Sequence, residues 1–98
     1  MARIELAPEL TEDFDQILRY LEQHGQADPA ARIAEIVQAI DVLLLNPLIG
    51  RPAANGKREL VIGRKSHGYI ALYQYVDGLD TVFVLGLRSQ REAGYARK

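Results

Sequence analysis

The chain has 98 residues, 48% of them hydrophobic and 26% charged, with a formal net charge of −1 and no cysteine. That length suits one domain spanning 1–98, and the composition is that of a globular chain and not a disordered one. The lack of cysteine excludes a disulfide framework or a thiolate metal site, and the near-zero charge weighs against non-specific clinging to nucleic acid.

Apolar runs such as Val42–Leu45 fall far short of the roughly 20 residues that a bilayer needs. Met1-Ala2-Arg3-Ile4-Glu5 lacks the long apolar region of a signal peptide, so no membrane partner and a cytoplasmic location are expected. A domain this small buries only about 60–70% of its unfolded surface, which makes a stabilising partner unsurprising. Charge is uneven along the chain: residues 1–50 hold three Arg and nine acids, whereas 51–98 hold nine Lys/Arg and four acids. Such asymmetry suits either an acidic partner for the second half or mutual neutralisation of the two halves.

Arg3-Ile4-Glu5-Leu6 alternates and predicts a first strand. Pro8 is placed to open a helix, on which Leu10, Phe14, Ile17, Leu18 and Leu21 form one face and Gly25 the left-handed end. Glu9, Glu12 and Asp13 lie in its first turns, where they complement the helix dipole. Asp28-Pro29 predicts the cap and first position of a second helix. Ile33, Ile36, Val37, Ile40, Leu43 and Leu44 carry its stripe to Asn46-Pro47, where it must stop. Leu48 to Gly56 reads as irregular. Lys57–Ile62 predicts a strand, Gly63–Gly68 a turn, and Tyr69–Val76 a strand rich in aromatic and β-branched residues. Asp77-Gly78 signals a hairpin, and Thr81–Leu87 returns as the last strand. The expected class is α+β: an N-terminal strand, an α-helical hairpin, then a three-stranded antiparallel meander, in the order β-α-α-β-β-β.

Several site types are absent from the sequence. There is no Gly-rich or Walker phosphate motif, no Gly-x-Ser-x-Gly elbow and no cofactor signature, and His24 and His67 are too isolated to suggest zinc. His24 belongs in the last turn of the first helix, where it suits the dipole. The basic residues are more suggestive. In a meander, the end of the last strand lies near the turn between the two before it, so Arg64, Lys65, His67, Arg88 and Arg91 are expected at one end of the sheet. Guanidinium forks there can hold phosphate or carboxylate, the alternative being a solvated rim of charge. Tyr69, Tyr73 and Tyr75 share a sheet face, which suits a core more readily than base stacking.

These segments resemble the RelE/ParE superfamily of type II toxin–antitoxin toxins, closer to its ParE-like members. The resemblance is carried by Ala7-Pro8-Glu9-Leu10, Asn46-Pro47-Leu48-Ile49-Gly50-Arg51, Arg58-Glu59-Leu60-Val61-Ile62-Gly63 and Tyr69-Ile70-Ala71-Leu72-Tyr73. Its last and most specific part is Val84 to Tyr95, which contains Arg88-Ser89-Gln90-Arg91-Glu92-Ala93-Gly94-Tyr95.

The resemblance implies a toxin of a plasmid- or chromosome-stabilising pair, neutralised by a cognate antitoxin, possible in a higher-order hetero-oligomer. ParE-like members poison DNA gyrase and RelE-like members cut mRNA on the ribosome. Arg58, Arg64, Lys65, Arg88, Arg91 and Tyr95 are the expected target- or antitoxin-binding residues. Were the chain a metal-independent ribonuclease, Arg64, His67, Arg88, Arg91 and Tyr95 would be its catalytic candidates, with Glu92 a base only if it faces them. Ser89 stands where close relatives usually carry His, so a mechanism relying on that histidine does not transfer. A pI of about 6.1 also suits a ribosome-bound nuclease poorly. Gyrase inhibition is the expected function. The alternatives are the ribonuclease and an inactive relative that only binds antitoxin, whose helix could lie along the helical hairpin and whose extended segment could join a sheet edge.

Overall fold

The computed structural model describes residues 1–25, 28–63 and 68–90. Strand β1 spans Arg3–Leu6, helix α1 Leu10–Gln23 and helix α2 Pro29–Ile40, followed by a 3-10 turn over Asp41–Leu44. Strands β2 (Arg51–Pro52), β3 (Arg58–Ile62), β4 (Tyr69–Val76) and β5 (Thr81–Ser89) follow, with 3-10 turns over Ala54–Gly56 and Asp77–Leu79. The sheet order is β1-β5-β4-β3-β2, with β1 parallel to β5 and the other pairs antiparallel. The expected α+β meander is present, and β2 is an addition to it.

Helix α1 begins two residues later than the proline predicts. Leu10 N–H donates to Ala7 O at 2.9 Å and Thr11 N–H to Pro8 O at 3.3 Å. These bonds reach back three residues instead of four, so Pro8 and Glu9 form a tight lead-in turn and not the first helical turn. Gly25, at φ 68°, takes the left-handed position after the helix, as its lack of Cβ allows. In α2, the Asp28 carboxylate accepts the Ala31 N–H at 3.1 Å, and Pro29 occupies the first position. The apolar stripe of α2 continues through the 3-10 turn as far as Leu43, which is fully buried. Val37 was expected on that stripe but is 42% exposed.

Both helices lie on one face of the sheet. The core joins Leu10, Ile17, Leu21, Ile36, Ile40 and Leu43 to Tyr69, Ala71, Tyr73, Val82, Val84 and Leu87. Burying each large apolar side chain contributes about 1.5–3 kcal/mol. The tyrosines of β4 therefore face the core, with Tyr75 at its margin. In β5 the core-facing residues change phase, from Val82 and Val84 to Leu87. The cause is a bulge: Tyr73 pairs with Val84 and Leu72 with Gly86, which leaves Leu85 as an extra residue. The β4–β5 connection is also longer than the Asp-Gly pair predicts. A 3-10 turn covers Asp77–Leu79, and Asp80, not Gly78, takes the left-handed position at φ 47°.

Candidate functional site

The sheet face turned away from the helices is organised by register. Val61 pairs with Ile70 and Ile70 pairs with Arg88, so these three form one row across β3, β4 and β5. Leu60 and Ile62 pack against the core, which puts Val61 on the opposite face. The Leu85 bulge has the same consequence in β5: Leu87 turns inward, and Arg88 turns to the outer face. Arg88 is half-buried there, and its Nη1 lies 3.4 Å from Ser89 O.

Behind that row, α1 is tied to β5 by a carboxylate. Asp13 is 2% exposed, and its Oδ2 accepts the Leu87 N–H at 3.0 Å. Pairing of β1 with β5 ends at Val84, whose carbonyl accepts Ala7 N–H at 2.9 Å. The chain then turns into α1, and Asp13 supplies the acceptor that a continuing strand would have supplied.

A second node orders the loop between α2 and β3. Tyr73 is fully buried, and its hydroxyl oxygen accepts the Gly50 N–H at 2.9 Å. Burial pushes its pKa above the usual tyrosine value, opposed by the Gly50 N–H and by the charge of Arg58. Arg58 Nη1 donates to Gly50 O at 2.8 Å and to Leu48 O at 3.2 Å. Gly50 is required by closeness: a Cβ there would lie 2.6 Å from Tyr73 Oη and 2.8 Å from Glu59 O. The loop so held leaves a shallow apolar hollow of about 340 Å³ lined by Ile49, Gly50, Arg51, Glu59, Leu60 and Val61. Arg51 Nε lies 3.1 Å from Glu59 Oε1 on its rim.

The expected basic cluster is only partly within view. Gly63, Gly68 and Gln90 sit at one end of the sheet, where Gln90 N–H donates to Gly68 O at 3.0 Å. A Cβ on Gly68 would lie 2.6 Å from Ile62 O, a measure of how closely the strand ends meet there. Arg64, Lys65, His67, Arg91, Glu92 and Tyr95 lie outside the described residues. Arg58 and Arg88 are not brought together. Arg58 pairs with Tyr73, three positions along β4 from Ile70, and shares the core-side face with Leu60. His24 belongs to α1: its Nδ1 is 2.8 Å from Tyr20 O, and its ring stacks on Tyr20 with centroids 4.0 Å apart.

Sequence reasoning did not single out Asp13, Tyr73 or Val61 for these positions. Asp13 carried one available signal, because it lies three residues from Leu10 and four from Ile17, inside the apolar stripe. Nothing local marked Val61, whose place on the outer face follows from the packing of Leu60 and Ile62 and whose unpaired edge follows from where β2 ends.

Residues 4–94 match the family model for the ParE toxin of type II toxin–antitoxin system, parDE. The chain is similar to a chain of the chromosomal ParDE system from P. aeruginosa, at 22% identity and a TM-score of 0.72, over 91% of this chain and 96% of that one. It is also similar to a chain of the intact E. coli RelBE toxin–antitoxin complex, at 16% identity and a TM-score of 0.59, over 94% of this chain and 100% of that one. No curated protein sequence matches it. At these identities the structural likeness speaks for the fold, and the family match carries the assignment.

Proposed function

The chain belongs to the ParE toxin family of type II toxin–antitoxin systems, and from that premise we propose that it inhibits DNA gyrase unless a cognate antitoxin is bound. The observation that carries this reading is the family match across residues 4–94. Two properties of the chain support it. A poison that acts by binding needs no acid–base pair of the kind that RNA cleavage requires. It also tolerates a net charge of −1, whereas affinity for RNA grows with positive charge.

In this reading Arg88 contacts the target or the antitoxin from the outer sheet face, where Val61, in the same row, supplies exposed apolar surface. Its guanidinium fork suits a carboxylate or phosphate. Arg64, Lys65, Arg91 and Tyr95, the other expected contacts, lie outside the described residues, while Arg58 acts mainly by holding the loop that ends at Gly50. An antitoxin partner fits the two similar structures, which come from toxin–antitoxin systems.

The test is a supercoiling assay with purified gyrase. The toxin is expected to inhibit supercoiling and accumulate cleaved DNA complexes, and the antitoxin to reverse both. Arg88→Ala is expected to lower inhibition about tenfold, the loss of roughly one charge-assisted hydrogen bond. Unimpaired gyrase at high toxin excess overturns the proposal, and message cleavage in a translating extract would put the ribonuclease in its place.

A further inference from the structure

We infer that Asp13 is a positioning residue for Arg88: by bonding the edge of β5 beyond its bulge, it fixes where the Arg88 guanidinium is presented. The inference rests on the reading above, in which Arg88 contacts gyrase. Strand β5 has two halves. Over Thr81–Val84 it lies between β1 and β4, and its pairing with β1 ends where Leu6 meets Val84. From Gly86 to Ser89 it pairs with β4 alone among the described residues. The Leu85 bulge separates the halves, and bulges next to functional sites re-aim a side chain or end a pairing.

Backbone groups alternate in direction along a strand. Gln90 N–H points toward β4, where it donates to Gly68 O at 3.0 Å. Leu87 and Ser89 therefore turn their N–H and C=O groups to the opposite side, the one that β1 has left. On that side Asp13 Oδ2 accepts the Leu87 N–H at 3.0 Å, and Arg88 Nη1 lies 3.4 Å from Ser89 O. The Arg88 guanidinium thus rests on the same edge that Asp13 holds, two residues further along.

The acceptor matters because a bulged strand is easily misregistered. A slip of one residue past the bulge would send Leu87 outward and Arg88 toward the core. Asp13 opposes that slip from a fixed place. It is 2% exposed, and Leu10 and Ile17 on either side of it in α1 belong to the same core as Val84 and Leu87. What the edge requires is an oxygen at this point, which asparagine also offers and alanine does not.

A double-mutant cycle read by inhibition of gyrase supercoiling tests the inference, with toxin concentrations counted as folded protein by circular dichroism. Asp13→Ala is expected to lower inhibition about tenfold, as Arg88→Ala does, and the double variant to lose no more than about twofold beyond Arg88→Ala. Asp13→Asn is expected to stay within about threefold of the parent chain, because it keeps an acceptor. Asp28→Ala, which removes the cap of α2, is expected to inhibit as the parent does once counted as folded protein. Full inhibition by Asp13→Ala or by Arg88→Ala overturns the positioning role while leaving the parent's action on gyrase standing. So do losses that multiply in the double variant, or an Asp13→Asn loss equal to that of Asp13→Ala. An equal loss in Asp28→Ala assigns the effect to stability and also overturns it. If Asp13→Ala does not fold at the assay temperature, Asp13→Ser carries the same expectation, since its hydroxyl can bond the helix carbonyl behind it. Failure of both to fold assigns Asp13 to stability alone and overturns the inference. A parent chain that leaves gyrase unimpaired removes the gyrase reading itself, and this inference with it.

Discussion

The hydroxyl of Tyr73 reaches the Gly50 N–H from strand β4, 23 residues away in sequence, and no solvent reaches the pair. Tyr73→Phe keeps the ring and removes the acceptor, leaving a buried N–H at a cost of about 1–3 kcal/mol. Gly50→Ala attacks the same contact from the other side, since its methyl would sit 2.6 Å from the hydroxyl oxygen, and a similar cost of about 1–3 kcal/mol follows from overpacking. Thermal melts are expected to fall by about 4–8 °C per kcal/mol for a domain of this size. Equal melting of all three proteins would show that the loop is held by Arg58 alone. Tyr75 gives a pH dependence. It donates to Asp80 Oδ1 at 2.7 Å, and that bond, with smaller contributions from burial and the Asp80 and Asp77 charges, raises its pKa to about 12. Because the folded chain holds this proton more tightly than the unfolded chain does, the contribution is full below the unfolded value near 10 and is lost as pH rises toward 12. Tyr75→Phe is expected to remove one late-titrating phenol from the alkaline absorbance titration and to flatten the stability loss over that range.

At the scale of elements, the two helices start differently, and this difference was readable in part. Asp28 caps α2 as the Asp-Pro pair predicts, and Asp28→Ala is expected to destabilise the chain by about 0.5–2 kcal/mol in chemical denaturation. Helix α1 has no side-chain cap, and its start at Leu10 depends on the lead-in turn from Ala7. Strand β4 matches its predicted bounds, because aromatic and β-branched residues and the flanking glycine and aspartate mark it locally. Strand β2 could not be anticipated: two residues carry no periodicity, and they count as a strand only because Glu59 and Arg58 lie opposite them. The bulge at Leu85 was equally hidden. Alternation through Thr81–Leu87 suggests an unbroken strand, and only pairing with β4 shows that one residue is extra.

Across the whole molecule, the sequence by itself determined the order of the elements, the apolar stripes that pack the helices, the core role of the β4 tyrosines and the resemblance to a toxin family. These follow from periodicity, capping and motif order, which are properties of neighbouring residues. The tertiary structure decided what the arginines and the edges do. It placed Arg58 beneath the Gly50 loop and Arg88 on the outer face, although the sequence treats both as basic residues beside strands. It buried Asp13 against a strand amide 74 residues away, where the helix dipole alone would have left it in solvent. It also left Val61 on an open edge by ending β2 after two residues. Each of these outcomes depends on which strand pairs with which and in what register. Long-range contacts set that register, and a one-residue bulge is enough to send a side chain to the other face.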